Sequence, residues 1–427
     1  MIALAMIVLL IGLILIRVPV SFAILGSGLV GLLLQTTVGS TMGVMEIIPI
    51  SSVQSLSMTA IPLFILMAHL MLLSGMMDSL FAAGRAVFGR LPGGTGIAST
   101  LAGVGFAAVS GSSTAAAATL AETTSKEMIR EGYRPTTATG IVASVGTLAG
   151  MIPPSVILVF YAVTAEASVG DMIVAGLVPG LIIAVALLVA MYLPVLRNPA
   201  VVPAGARSTM AEKGRAIVQA SPIAVIFLAV VGMIYFGIVT PTESAAIGCA
   251  VALVLVAVRR RLSITGLVHA VIETIKASAM IFAIVIAAHV FGHAFAHTKV
   301  ADAMVTWVKS LTVPAFVVML ILLAMYVVLG FFMDQIAIIA LTVPILVPVV
   351  AALGYDKIWF GIFVVLMGEI GLISPPLGLN VFVVARSTGR DTWEVFKGAA
   401  PYAVAMVVVA VGFIAWPDVV TWLPSVR

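Results

Sequence analysis

Three features of the chain carry polar chemistry inside an otherwise apolar sequence. The first is Ser110-Gly111-Ser112-Ser113-Thr114, a run of small residues. Their hydroxyl and carbonyl oxygens suit a hard monovalent cation, and N–H groups at a helix start there suit an anionic group. The second is a pair of double prolines, Ile152-Pro153-Pro154-Ser155 and Ser374-Pro375-Pro376-Leu377-Gly378, the latter followed by Asn380. Proline removes a helical donor and clashes with the preceding turn, so each pair should unwind a helix and free carbonyl oxygens. Ser113, Thr114, Pro153, Pro154, Ser155, Pro375, Pro376 and Asn380 are therefore the candidates for substrate contact. The third is Asp334, a lone acid well inside an apolar run. An ionisable residue at such depth is a functional candidate by default, with a helix cap as the alternative.

The elements that position these residues follow from composition. Of 427 residues, 62% are hydrophobic and 9% charged, against roughly 25% charged in soluble domains. That excludes the soluble, disordered, fibrous and nucleic-acid-binding classes. Apolar runs such as Ile2 to Ile16 and Ile247 to Val258 are continuous rather than alternating, which predicts an all-α polytopic membrane protein and not a β-barrel. The first run has no basic residue before it and no small-residue cleavage site after it, so it reads as a retained span. The one cysteine, Cys249, excludes disulfides and thiolate clusters and reads as a packing residue.

The chain repeats itself at a constant offset of 222 residues. Gly132-Tyr133 and Pro153-Pro154 recur as Gly354-Tyr355 and Pro375-Pro376, and Pro92, Gly146, Phe160, Gly176 and Pro179 recur as Pro314, Gly368, Phe382, Gly398 and Pro401. The offset carries Ser110 to Thr114 onto Phe332 to Ile336, placing Asp334 and Gln335 where the first half has Ser112 and Ser113. Ten crossings are predicted, near 1–16, 18–34, 60–84, 136–165, 172–195, 217–238, 244–258, 262–297, 358–388 and 394–416. With both termini outside, 16 of the 21 Lys and Arg fall on the cytoplasmic face, as the positive-inside rule requires. Residues 92–130 and 314–352 each begin and end on one side and read as re-entrant helical hairpins, entering from opposite faces. The fold predicted is thus a pair of inverted-topology repeats, each with one re-entrant hairpin and one broken helix, a plan common to secondary transporters.

The divisions expected are N-terminal scaffold helices at 1–59, a first repeat at 60–195, a cytoplasmic linker at 196–216, middle scaffold helices at 217–281, a second repeat at 282–416 and a tail at 417–427.

These motifs resemble the large membrane subunit of tripartite ATP-independent periplasmic (TRAP) transporters. The resemblance rests on the Ser-Gly-Ser-Ser turn, Gly132-Tyr133, Ile152 to Ser155 and Ala175 to Gly180 in the first half. In the second half it rests on Gly330, Asp334, Pro344, Pro348, Gly354, Gly361 and Ser374 to Asn380, so it covers essentially the whole chain. It implies an elevator-type, Na⁺-driven importer of organic acids in a prokaryotic inner membrane. It also implies two partners, a small four-helix membrane subunit and a periplasmic substrate-binding protein, and no organic cofactor. The family's cation sites, carried onto this chain, name Ser110, Gly111, Ser112, Ser113, Gly330, Asp334, Ser374, Pro375, Gly378 and Asn380. Ser374 stands where the family usually has Thr, which keeps the hydroxyl, and Arg386 stands where smaller residues are expected.

Other polar residues have competing readings. Glu369, in Gly368-Glu369-Ile370-Gly371, is either a proton site or a structural partner of the second break, and Glu122 reads as packing or capping. Arg386 reads as an orientation charge ahead of a carboxylate-steering role. His289, His293 and His297 share a helix face but have no acid with them to complete a metal site. The alternative function is a stand-alone Na⁺- or H⁺-coupled carboxylate transporter of the same plan. A membrane-embedded enzyme fits less well, because no His is followed by Glu and only one Asp is deeply placed.

Overall fold

The computed structural model describes residues 1–197 and 208–426, and all regular structure there is helical. The N-terminal helices are α1 (Ile2–Leu15), α2 (Val20–Gln35), α3 (Val38–Val53), α4 (Ala60–Leu73) and α5 (Met76–Phe88). The first hairpin follows as α6 (Gly94–Ser110), α7 (Ser113–Leu120) and α8 (Lys126–Arg130), the last two joined by a π-helical turn. A helix interrupted at the first double proline comes next, as α9 (Pro135–Gly146), α10 (Leu148–Met151) and α11 (Val156–Thr164). The middle of the chain holds α12 (Val169–Ala175), α13 (Leu177–Arg197), α14 (Met210–Phe227), α15 (Met233–Tyr235), α16 (Pro241–Val258) and α17 (Ile264–His297). The second half repeats the pattern with α18 (Val300–Ser310), a hairpin of α19 (Ala315–Gly330) and α20 (Gln335–Ala352), and a broken helix of α21 (Lys357–Ile373) and α22 (Leu379–Thr388). The chain closes with α23 (Thr392–Ala415) and α24 (Asp418–Ser425).

Element boundaries keep the offset of the sequence motifs. α7 begins at Ser113 and α20 at Gln335, while α9 to α10 cover 135–151 and α21 covers 357–373. Local chemistry sets these limits. Ser112 and Asp334 cap the second arm of each hairpin, and both Pro-Pro bonds, 153-154 and 375-376, are cis.

Seven helical stretches are long and apolar enough to cross a membrane, and the pair Pro135–Met151 and Val156–Thr164, bent by 46°, makes an eighth. The helices depart from the predicted crossings at three places. α1 and α2 hold 14 and 16 residues, short for a spanning helix. The crossing expected at 60–84 divides at Gly75, whose φ of 67° ends α4 and starts α5. The crossing expected at 358–388 consists of 17-residue α21 and 10-residue α22, broken at the second double proline as predicted. Gln335–Ala352, expected as a hairpin arm, is itself of spanning length. Residues 38–53, for which no span is predicted, form α3, and the tail carries α24. Most of the linker expected at 196–216 lies outside the described residues, and its last part belongs to α14.

The core is built around α21, in which every residue from Trp359 to Ile373 is buried. Its aromatic end gathers Tyr161, Tyr326, Trp359, Phe360 and Phe363 in edge and stacked contacts, with Tyr326 Oη donating to Thr342 Oγ1 at 2.7 Å. In apolar surroundings helices associate through close approach of small residues rather than through water exclusion. Gly330 and Gly371 bring α19 onto α21 so closely that a Cβ on Gly330 would stand 3.0 Å from Gly371 Cα.

Candidate functional site

The two hairpin turns lie on one cavity. α6 runs to Ser110, the chain turns through Gly111 at φ 59°, and Ser112 opens α7 by accepting from Ala115 N at 3.5 Å. A side chain at position 111 would be strained at that φ, and its Cβ would stand 3.0 Å from Pro154 O, so the first turn rests against the first double-proline break. In the second half α20 opens behind Asp334, whose carboxylate accepts from Ala337 N at 2.8 Å.

Between the turns is a cavity of about 360 Å³, inside the range of roughly 300–1,000 Å³ typical of small-molecule sites. Ser110 to Ala115 line it from one side and Asp334 to Ile336 from the other, while α4 and α17 supply a largely apolar opposing wall. His69 on α4 is the titratable residue of that wall. No motif marks His69 in the sequence; it is found only once α4 is seen to face the turns. A second cavity of about 250 Å³ touches Gly330, Asp334, Gly371 and Gly378, so Asp334 lies at the border of both.

Of the residues read as substrate contacts, Ser113 and Thr114 line the cavity between the turns. The remaining six do not line it. Pro153 and Pro154 are buried, and Ser155 is spent on structure, accepting from Leu158 N at 3.3 Å and donating to Gly150 O at 2.7 Å. Pro375 and Pro376 are exposed and line neither cavity. Asn380 is fully buried and donates to Ala143 O at 3.2 Å, tying the second broken helix to the first.

The residues carried over as cation ligands divide in two. Ser110, Gly111, Ser112 and Ser113 gather at the first turn, where the Ser110 hydroxyl is buried and finds no partner among the described residues. Gly330, Asp334 and Gly378 gather on the second cavity, and Ser374 lies at the end of α21 with its hydroxyl given to Ile370 O at 2.7 Å. Asp334 is thus a helix cap and a cavity residue together.

Glu369 is fully buried on α21, and its Oε1 accepts from Ser113 Oγ at 2.7 Å across 256 residues of sequence. The sequence reads it as a proton site or a structural partner of the second break; in the structure it lies under the first turn. Gln335 Nε2 donates to Val365 O at 2.9 Å, and Val365 is the 222-offset counterpart of Ala143, which receives Asn380. Equivalent carbonyls thus each receive a side-chain amide: Asn380 joins the second half to the first, and Gln335 ties the second hairpin to α21.

Glu122 and Arg386 are exposed, away from both cavities. His293 and His297 meet with ring centroids 5.0 Å apart, and among the described residues no group of three His, Cys, Asp or Glu side chains is placed to hold a metal ion. Cys249 donates to Leu63 O at 2.9 Å, joining α16 to α4.

Comparison with known proteins gives the family and the fold. The chain is 33% identical over 373 residues to the C4-dicarboxylate TRAP transporter large permease protein DctM of Pseudomonas aeruginosa, covering 87% of this chain and 85% of that protein. It is 28% identical over 416 residues to the sialic acid TRAP transporter large permease protein SiaM of Vibrio cholerae, covering 97% and 96%. The fold matches the YdaH transporter of Alcanivorax borkumensis with a TM-score of 0.60 at 15% identity, over 93% of this chain and 97% of that one. Residues 7–419 match the DctM component of tripartite ATP-independent periplasmic transporters, and the chain belongs to that family of large permease subunits.

Proposed function

We propose that this subunit carries an organic acid across a prokaryotic inner membrane by Na⁺ symport. The observation that carries this reading is the cavity between the two hairpin turns. Its turn side offers hydroxyl and carbonyl oxygens, the Asp334 carboxylate and helix starts, and its opposing wall on α4 and α17 is largely apolar. Helix starts favour a carboxylate, while hydroxyl and carbonyl oxygens favour a hard cation, so one site holds both halves of a symport. The relatives' named cargoes, a C4-dicarboxylate and a sialic acid, are both acids and support that class.

The same geometry supports an elevator. The cavity lies where the hairpins meet α4 and α17, and a block made of α6 to α11 and α19 to α22 can carry the cavity past that wall. The repeats are inverted, and both termini face the periplasm, where the sign of the loop charges places them. A small four-helix membrane subunit and a periplasmic binding protein complete the system, the latter delivering the acid.

Omission of components tests this. Proteoliposomes holding this chain, the small subunit and a loaded binding protein are expected to take up the acid, and leaving out the binding protein is expected to abolish uptake. Equal uptake by this chain alone would favour the stand-alone transporter.

A further inference from the structure

The first hairpin turn has no charged side chain of its own. Ser110 to Thr114 carry no acid, whereas the equivalent turn of the second half has Asp334. A cation held at the first turn in a dry interior needs a compensating charge nearby. Glu369 is the acid placed to supply it.

Its carboxyl is fully buried, with one oxygen 2.7 Å from Ser113 Oγ on the turn itself. The other oxygen, Oε2, makes no hydrogen bond of good geometry among the described residues, and the neutral Gln335 amide, which donates to Val365 O at 2.9 Å, is the polar group beside it. None of the ion pairs among the described residues includes Glu369. Room for the carboxyl is made by Gly150, where a Cβ would overlap Glu369 Oε1. The 222-offset counterpart of Glu369 is Thr147, so the acid is not a copy required by the repeat.

We propose that Glu369 is the counter-charge for a cation bound at the first hairpin turn, lent to the first half of the molecule by the central helix of the second. Each turn then has one carboxylate, Asp334 from its own loop and Glu369 from across the repeat boundary. The first turn binds its cation only when α21 is packed beneath it, which makes cation occupancy report on the closure of the two halves.

This inference rests on the Na⁺ reading above. Its test is equilibrium binding of radiolabelled Na⁺ to the full chain in lipid nanodiscs, comparing wild type with Glu369→Gln. Glutamine keeps an oxygen for the Ser113 hydroxyl and removes the charge, so its Na⁺ affinity is expected to fall by about tenfold or more. Glu369→Asp and Glu369→Asn differ from each other only in charge. They serve as the pair if Glu369→Gln does not elute as a monodisperse protein, and a gap of about tenfold is again expected. Wild-type binding with the neutral variant within about twofold of its charged partner overturns the role of Glu369 and leaves the Na⁺ reading standing. No saturable Na⁺ binding by wild type overturns both.

Discussion

Asp334 illustrates how one side chain can answer to two demands. Its carboxylate caps α20 through Ala337 N at 2.8 Å and also borders both cavities at the second turn. Asparagine caps a helix about as well as aspartate, whereas alanine costs about 1 kcal/mol. Asp334→Asn is therefore expected to leave the unfolding midpoint nearly unchanged and to weaken the Na⁺ dependence of transport by about tenfold, while Asp334→Ala lowers both. Thermal melts and Na⁺ titrations of uptake on the same preparations check this, and an unchanged Na⁺ response in the asparagine variant removes Asp334 from the coupling mechanism. Ser112, the equivalent cap, is expected to lose a comparable ~1 kcal/mol as Ser112→Ala, read from denaturation in detergent. At this scale the turns were legible in the sequence, because small polar residues in an apolar run have few structural uses. The contact of Glu369 with Ser113 and the place of His69 on the cavity wall were not legible, since both arise only when distant helices pack.

Between elements, the decisive contacts are backbone against backbone. α19 meets α21 at Gly330 and Gly371, and a Cβ at position 371 would stand 2.9 Å from Gly330 Cα. Overpacking of this kind typically costs about 1–3 kcal/mol, so Gly371→Ala is expected to lower the melting temperature and to reduce uptake by displacing the second turn. A Gly371→Ala protein with wild-type melting and uptake would show that the helices separate without consequence. The double prolines were legible as breaks, and the structure interrupts the helices after Met151 and Ile373 as expected. Span count was less legible. Hydropathy joins α4 to α5 across Gly75, because the residues between them are small. Pro153, Pro154 and Ser155, read as substrate contacts, lie buried outside the cavity lining, because a break frees backbone groups but packing decides what they face.

For the whole molecule, the repeat offset was visible in scattered Gly and Pro before any helix was placed, and the helix boundaries keep it. Orientation is the part that rests on loop charge, and labelling tests it. In a Cys249→Ala background, Lys309→Cys and Arg390→Cys each offer an exposed thiol on opposite predicted faces. An impermeant maleimide added to intact spheroplasts is expected to label position 309 and to reach position 390 only after permeabilisation, and the reverse pattern would invert the topology. The central claim is that an inward Na⁺ gradient drives uptake through the cavity between the turns. Its most direct measurement is uptake of a binding-protein-loaded acid by proteoliposomes containing both membrane subunits, with Na⁺ outside and choline inside. The account predicts accumulation that collapses when a sodium ionophore dissipates the gradient; equal accumulation with choline on both sides would contradict it.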